Sequence, residues 1–437
     1  MDQPKLKIEK TWQNNLSVNK LLISILFIFI CSTSKAQEIS STQYFNKVIE
    51  NIQENFEDFP SADFDYLKPF YIDEVQFRTE TDEFDFNRQE YAVRVKPGNF
   101  KLPKLQRQLF NSYYQKSQLV QSQLKADALE SAYTIWLNLN LNNQETSFFN
   151  TEKVLLKDKA KVYERQLDIP NFNILRLLGT EDNLHKTELD LLTAQIRIKN
   201  QSGILAQEFD NEISSIASDL ISVKKIKSVL NNALQETVVN KFNVRILNLD
   251  QSIIDQEIAL ENAESQNIID FVQLRYGGPH DDVFDEKVSI SVGINLPTKS
   301  RNKLKINELK LDAIKENMDL SSDNVELQYK VDVAHQKVLE SIEIYDLIKS
   351  QNKSSILTND VLMSRYETSA STSPLTLLDI QILRHEKDER LYDAKKDVYE
   401  DYLDWLILSR KIFEIPFKNY LSEEVELLEY NEDFWGR

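Results

Sequence analysis

The sequence predicts a mainly α-helical chain with a small β part, built as two copies of one plan: a short helix, two strands and a long helical hairpin. Only 7 Gly and 10 Pro occur in 437 residues, too few for a loop-rich enzyme, since those residues punctuate chains. A hydrophobic content of 41% with 28% charged residues suits long amphipathic helices. The third observation is an internal repeat. Ile72-Asp73-Glu74-Val75-Gln76-Phe77-Arg78 recurs as Ile269-Asp270-Phe271-Val272-Gln273-Leu274-Arg275, a shift of 197 positions. The same shift lays Tyr91-Ala92-Val93-Arg94-Val95 on Val288-Ser289-Ile290-Ser291-Val292, and Tyr163-Glu164 matches Tyr366-Glu367 at a shift of 203. Each match is short, but their shared order argues against chance.

Residues 1–36 read as an export signal. Lys5, Lys7, Lys10 and Lys20 form a basic start, Leu21 to Ile30 is apolar apart from Ser24, and Ser34-Lys35-Ala36 offers small residues before a cut. The apolar run is too short to span a bilayer as a helix. A lipoprotein cut before Cys31 is the weaker alternative, because Ile30 stands where such sites carry a small residue. Cys31 is the only cysteine, so the mature chain would have no disulfide, which suits a bacterial periplasm or outer membrane. The segment carries five Lys against Asp2 and Glu9, so its removal takes the formal charge from −18 to −21. A surface so acidic argues against nucleic acid as a partner.

The strand segments have a period of two. Val288, Ile290, Val292, Ile294 and Leu296 alternate with Ser289, Ser291, Gly293 and Asn295, which sets an apolar face against a small, polar one. In the first half, Tyr91, Val93 and Val95 oppose Ala92, Arg94 and Lys96. The partner strands, near 72–79 and 269–276, alternate less cleanly. Periodicity alone fits a soluble hairpin packed on helices slightly better than a membrane strand; the signal and the duplication favour a barrel. No later apolar stretch has helical membrane-spanning length, so any crossing must use strands closed into a barrel.

Long helices should follow each strand pair. Residues 102–167 contain no Gly and have Pro103 in the first turn, and 298–368 contain neither Gly nor Pro. Such a helix is on the order of 100 Å long. Leu304, Leu311, Ile314, Met318 and Val325, then Val338, Ile342 and Tyr345, follow coiled-coil steps; helix packing explains them without a ligand. Asp168-Ile169-Pro170-Asn171 and the Ser/Thr-rich stretch 368–374 should turn the two hairpins. A break near Val239 to Phe242 should join the halves. The expected division is 1–36 signal, 37–238 first repeat, 239–414 second repeat and 415–437 an acidic tail.

Val288 to Pro297 followed by Arg301 and a long helix resembles the second-strand signature of the TolC-like outer-membrane efflux proteins. Tyr366, the Ser/Thr-rich turn and Leu375-Thr376-Leu377-Leu378-Asp379 resemble that family's helical-hairpin tip. The duplicated layout covers residues from about 41 to 412. The resemblance implies a homotrimer whose four strands per chain close into one twelve-stranded outer-membrane barrel. The helices would continue as a coiled-coil tunnel in the periplasm, contacting an adaptor protein and an inner-membrane transporter. It implies efflux or type I-like secretion, no catalysis and no cofactor. It makes Val288, Ile290, Val292 and Ile294 lipid-facing, and Ser289, Ser291, Asn295 and Arg94 lumen-facing. It places Asp379 at the periplasmic aperture, with Thr376 where the family has a second aspartate; repeat symmetry sets Arg176 opposite Asp379. Neither hairpin turn carries the glycine usual at these tips.

Competing chemistry finds little support. His185, His280, His335 and His385 show no metal-ligand spacing; His280-Asp281-Asp282 with Asp285 and Glu286 could bind a cation, but their place in a strand-connecting loop favours a solvated acidic loop. No nucleophile elbow, P-loop or dinucleotide fingerprint occurs. For Asp379 there is also a plain reading, an acid favoured in a helix's first turn by the dipole. The main functional alternative is a periplasmic coiled-coil scaffold that never inserts its strands.

Overall fold

Helix α1 (Ser41–Phe56) precedes two strands, β1 (Ile72–Thr81) and β2 (Gln89–Pro97), and the hairpin α2 (Leu102–Glu164) and α3 (Ile174–Phe209). A short helix α4 (Val223–Ala233) intervenes before the plan repeats. The second copy is α5 (Lys241–Ser265), β3 (Ile269–Tyr276), β4 (Val288–Ile294), α6 (Lys303–Ser354), α7 (Asp360–Glu367) and α8 (Pro374–Leu408). The computed structural model describes residues 38–56, 72–81, 89–99, 101–170, 172–209, 215–233, 241–265, 269–277, 288–294, 302–358, 360–367, 373–430 and 434–435. The expected signal segment with Cys31, the His280–Glu286 loop, Asn295, Leu296 and the turn residues Thr368–Thr372 lie outside them.

Helix α2 runs 63 residues without a break, about 95 Å at the usual rise. Pro103 sits in its first turn, where no N–H is needed. Its partner in the second copy is shorter than expected. The run 298–368 is not one helix: α6 stops at Ser354, Ser355 is extended (φ −75°, ψ 139°), and a 3-10 turn (Ile356–Thr358) leads to α7. The break falls at Ser354-Ser355, whose hydroxyls compete for backbone groups: Ser354 Oγ donates to Gln351 O, and Leu357 N donates to Ser355 Oγ. Helix α8 secures it: Arg384 Nε donates to Leu357 O at 2.6 Å, Asn352 Nδ2 donates to Lys387 O at 3.1 Å, and Lys387 bonds Ser355 Oγ.

The main core lies midway along the helices, where the two copies meet. Tyr44, Phe45, Val48, Ile49 and Ile52 bury one face of α1 against Leu129, Tyr133, Trp136 and Leu137 of α2. Tyr44 stacks on Trp136 with centroids 5.1 Å apart, and Phe45 on Tyr133 at 4.2 Å. Ile226 and Leu230 of α4, Val338 and Ile342 of α6, and Val398, Tyr399, Tyr402 and Leu406 of α8 complete it. Helix α4 had no expected place in either copy.

The acidic segment after residue 414 is part of this core. Phe417, Leu421, Leu428 and Phe434 are buried, and Phe417 meets Phe434 edge-on at 4.9 Å. Backbone and side chains fasten it: Ile221 N donates to Leu421 O at 2.7 Å, Tyr133 Oη to Lys418 O at 2.6 Å, Lys125 Nζ to Phe434 O at 2.8 Å. Glu423 accepts from the backbone N and hydroxyl of Ser222, just before α4. Glu423, Glu424, Glu426 and Glu429 are exposed, while Phe417, Tyr420 and Phe434 belong to the same core cluster as residues of α1, α2 and α4.

The coiled-coil stripe on α6 divides in two. Val338, Ile342 and Tyr345 are buried, whereas Leu304, Leu311, Ile314, Met318 and Val325, nearer the strands, are uncovered in the single chain. Phe110, Tyr113, Val120 and Leu124 on the matching stretch of α2 are uncovered as well.

Candidate functional site

The four strands form one antiparallel sheet in the order β1-β2-β3-β4. Its registers sort the side chains into two faces. One row runs Val75–Val95–Val272–Val292, the next Phe77–Val93–Leu274–Ile290, and a third Thr79–Tyr91–Tyr276–Val288. Directly opposed residues share a face, so these rows make one apolar surface crossing all four strands. It is open: Phe77 is 77% and Ile290 72% exposed. The other face carries Gln76–Arg94–Gln273–Ser291 and Arg78–Ala92–Arg275–Ser289.

Val288, Ile290, Val292 and Ile294 thus lie together on the apolar face, and Ser289, Ser291 and Arg94 on the polar one. The imperfect alternation of β1 and β3 has a local cause. Each has a β-bulge, between Ile72 and Glu74 and between Ile269 and Phe271, with Asp73 and Asp270 as the extra residues. A bulge inserts one residue and resets the phase, so Ile72 (opposite Pro97) and Ile269 (opposite Ile294) rejoin the apolar face. The two bulges sit 197 positions apart, the spacing of the repeat.

On the polar face, beside the second bulge, Phe271 lies over Gly293. A Cβ at Gly293 would meet Phe271 Cδ1 at 2.6 Å, so only glycine admits the ring. The Arg94 guanidinium lies 3.5 Å from the Phe271 ring centroid and 3.7 Å from the Asp270 carboxylate. Three strands are clasped by one stack. Towards the opposite end Glu80 and Glu90 are paired in register. Arg275 bridges them, bonded to Glu90 and 3.9 Å from Glu80.

The far end of the helices holds the other expected site. The chain turns over residues 165–170, and Ala160, Tyr163 and Leu177 form a small core with Phe172 and with Leu375 from the second hairpin. Four residues on, hence on the same face of α8, Asp379 pairs with Lys159 at 2.8 Å. Within the chain the counter-charge of Asp379 is Lys159; Arg176 is exposed. Asp379 stands in the second turn of α8, and the first turn holds no acid, so the dipole account does not apply; the effect fades beyond one turn. Thr376 lies in the first turn, where its N–H donates at 3.2 Å to Oγ of Ser373, the residue that caps α8 ahead of Pro374. Spacing gave no sign of Lys159, since the pairing depends on how the hairpins dock. Among the described residues no cluster of His, Cys, Asp and Glu is placed to hold a metal, and no helix is long and apolar enough to cross a membrane.

Comparison with known proteins finds no matching family model and no matching curated protein. Solved structures do match. The outer-membrane channel OprN aligns with a TM-score of 0.56 over 84% of this chain and 89% of its own, at 11% identity. The open state of the Neisseria gonorrhoeae MtrE outer membrane channel aligns at 0.54 over 88% of each chain, at 14% identity. The Campylobacter jejuni CmeC outer membrane channel aligns at 0.54 over 89% and 85%, at 10% identity. Helical hairpins continuing from a small antiparallel sheet define a tunnel-and-barrel class of protein. Within that class, this chain has the fold of the TolC-like outer-membrane channels.

Proposed function

We propose that the chain is a subunit of an outer-membrane channel for efflux or type I-like secretion, and that it catalyses no reaction. The observation that carries this is the sheet: one face apolar and open, the other polar, with the outer edges of β1 and β4 unpaired among the described residues. An open apolar sheet is an aggregation hazard in water and the right surface for lipid once its edges are closed. Joining β4 of one copy to β1 of the next is a head-to-tail contact, which makes a ring if the rotation closes. Three copies give twelve strands, the even number such barrels use. The ten residues of β1, about 33 Å along the strand, are long enough for a tilted crossing.

The same assembly covers the open apolar stripes on α2 and α6. The helices form a tunnel in the periplasm, met by an adaptor protein and an inner-membrane transporter, with Asp379, Thr376 and Arg176 near its aperture. Val288, Ile290, Val292 and Ile294 face lipid; Ser289, Ser291, Asn295 and Arg94 face the lumen.

The test is a pair of substitutions on each face, read by membrane fractionation and trimer formation. Ile290→Asp and Val292→Asp should block assembly, because a charge facing lipid costs on the order of a few kcal/mol at mid-depth. Ser289→Asp and Ser291→Asp should assemble. Equal damage from both pairs sinks the face assignment, and recovery of the wild type wholly in the soluble periplasmic fraction favours a scaffold.

A further inference from the structure

Residues 38–41 are held firmly, and far from the strands. Glu38 and Ile39 pair in parallel with Ser215 and Ile216, and Ala217 N donates to Ile39 O at 2.9 Å. Ser41, at the start of α1, gives its backbone N and its hydroxyl to Asp219 Oδ2 at 3.0 and 2.6 Å. From the other side, Asn419 Nδ2 donates to Ser41 Oγ at 2.8 Å. Two distant stretches of chain thus grip the start of α1.

Helix α2 gives the level of this grip. Tyr44 stacks on Trp136 and Phe45 on Tyr133, whereas Phe56 O accepts from Gln121 Nε2 at 2.5 Å. Helix α1 therefore runs back towards the strands, and its first turn lies at its far end. Trp136 stands 34 positions after Leu102, about 51 Å along the helix. Leu102 itself follows β2, which ends at Pro97. Cys31, by contrast, lies only seven positions before Glu38. Seven residues span at most about 25 Å when fully extended, half of what is needed.

We propose that the strands, and not a lipid on Cys31, hold the mature chain in the membrane, and that Cys31 leaves with the export signal. The inference rests on the channel reading, which sets the sheet in the bilayer and the start of α2 at its edge. A lipid on Cys31 could then reach the bilayer only if α1 left its place. That would uncover Tyr44, Phe45 and Ile49, all buried, and break the bonds of Ser41 to Asp219 and Asn419. With α1 in place, the acyl chains would stay in water. Either exposure opposes the burial of apolar surface that drives both folding and lipid anchoring.

The experiment is mass spectrometry of the N-terminal peptide of the protein purified from outer membranes, with Cys31→Ala expressed and fractionated alongside. Mature wild type should begin downstream of Cys31 and carry no acyl group. Cys31→Ala should reach the membrane as the same trimer and in undiminished yield. A wild type that keeps Cys31, acylated or not, while Cys31→Ala still inserts and assembles, overturns the inference and leaves the channel reading standing. An acylated wild type whose Cys31→Ala form is lost to the soluble periplasmic fraction means that lipid was the anchor. That result overturns the channel reading, and the inference with it.

Discussion

Replacing Gly293 with alanine tests whether the stack on the polar face holds the sheet together. The new methyl would stand 2.6 Å from Phe271 Cδ1 and 3.0 Å from Cζ, against an ordinary carbon contact of about 3.5–4.0 Å. The ring edge must therefore retreat by roughly 1 Å. It cannot do so freely, because Arg94 lies 3.5 Å from the ring centroid and is itself tied to Asp270. Overpacking of this kind costs about 1–3 kcal/mol, and glycine to alanine in a strand would otherwise gain about 0.5–1 kcal/mol. The two effects have opposite signs, so the background decides the outcome. In the wild type, Gly293→Ala should destabilise; with Phe271→Ala present it should be neutral or stabilising. The coupling should exceed about 1 kcal/mol, within the range for residues in contact. The assay is a double-mutant cycle on the thermal dissociation of the assembled protein, followed on gels. A Gly293→Ala protein as stable as wild type, or equal losses in both backgrounds, refutes the argument.

Asp379→Asn should leave stability nearly unchanged, since half-exposed ion pairs contribute only about 0–1 kcal/mol, yet weaken cation preference in bilayers. Lys159→Met unmasks the carboxylate and should strengthen that preference; if neither change moves ion selectivity, the pair is only a hairpin contact. Phe417→Ala and Phe434→Ala should each cost about 3–5 kcal/mol, the usual penalty for emptying a buried aromatic site. Thermal melting of both variants at wild-type stability would mean the tail is a peripheral strand of chain.

The duplicated plan was legible because hydrophobic period and repeat spacing act along the chain. Val288 to Ile294 kept strict alternation and could be assigned to a face directly. In β1 and β3 a single inserted Asp shifts the phase, and only pairing reveals where the shift occurs. The stop of α6 at Ser354 has no Gly or Pro to mark it in the sequence; serine hydroxyls and hydrogen bonds from α8 suffice to end the helix. The acidity of residues 415–437 concealed the aromatics among them. Charge is read from composition, but burial of Phe417 and Phe434 depends on surfaces brought together by folding. Lys159 lies 220 positions before Asp379, and no local rule connects them.

The matched bulges have a consequence for symmetry. Each chain supplies two hairpins with the same kink at the same level, so three chains would present a rim of six nearly equivalent units. The helices below have lost that equivalence: among the described residues, the second copy is interrupted at Ser355 where α2 runs unbroken, and α4 stands in the link between copies. A pseudo-sixfold barrel would then stand on a threefold tunnel. Rotation or splaying of one helical hairpin in each chain would preserve the threefold axis and make no demand on the sixfold rim. In such an assembly, movement at the tip would be mechanically separable from integrity of the barrel.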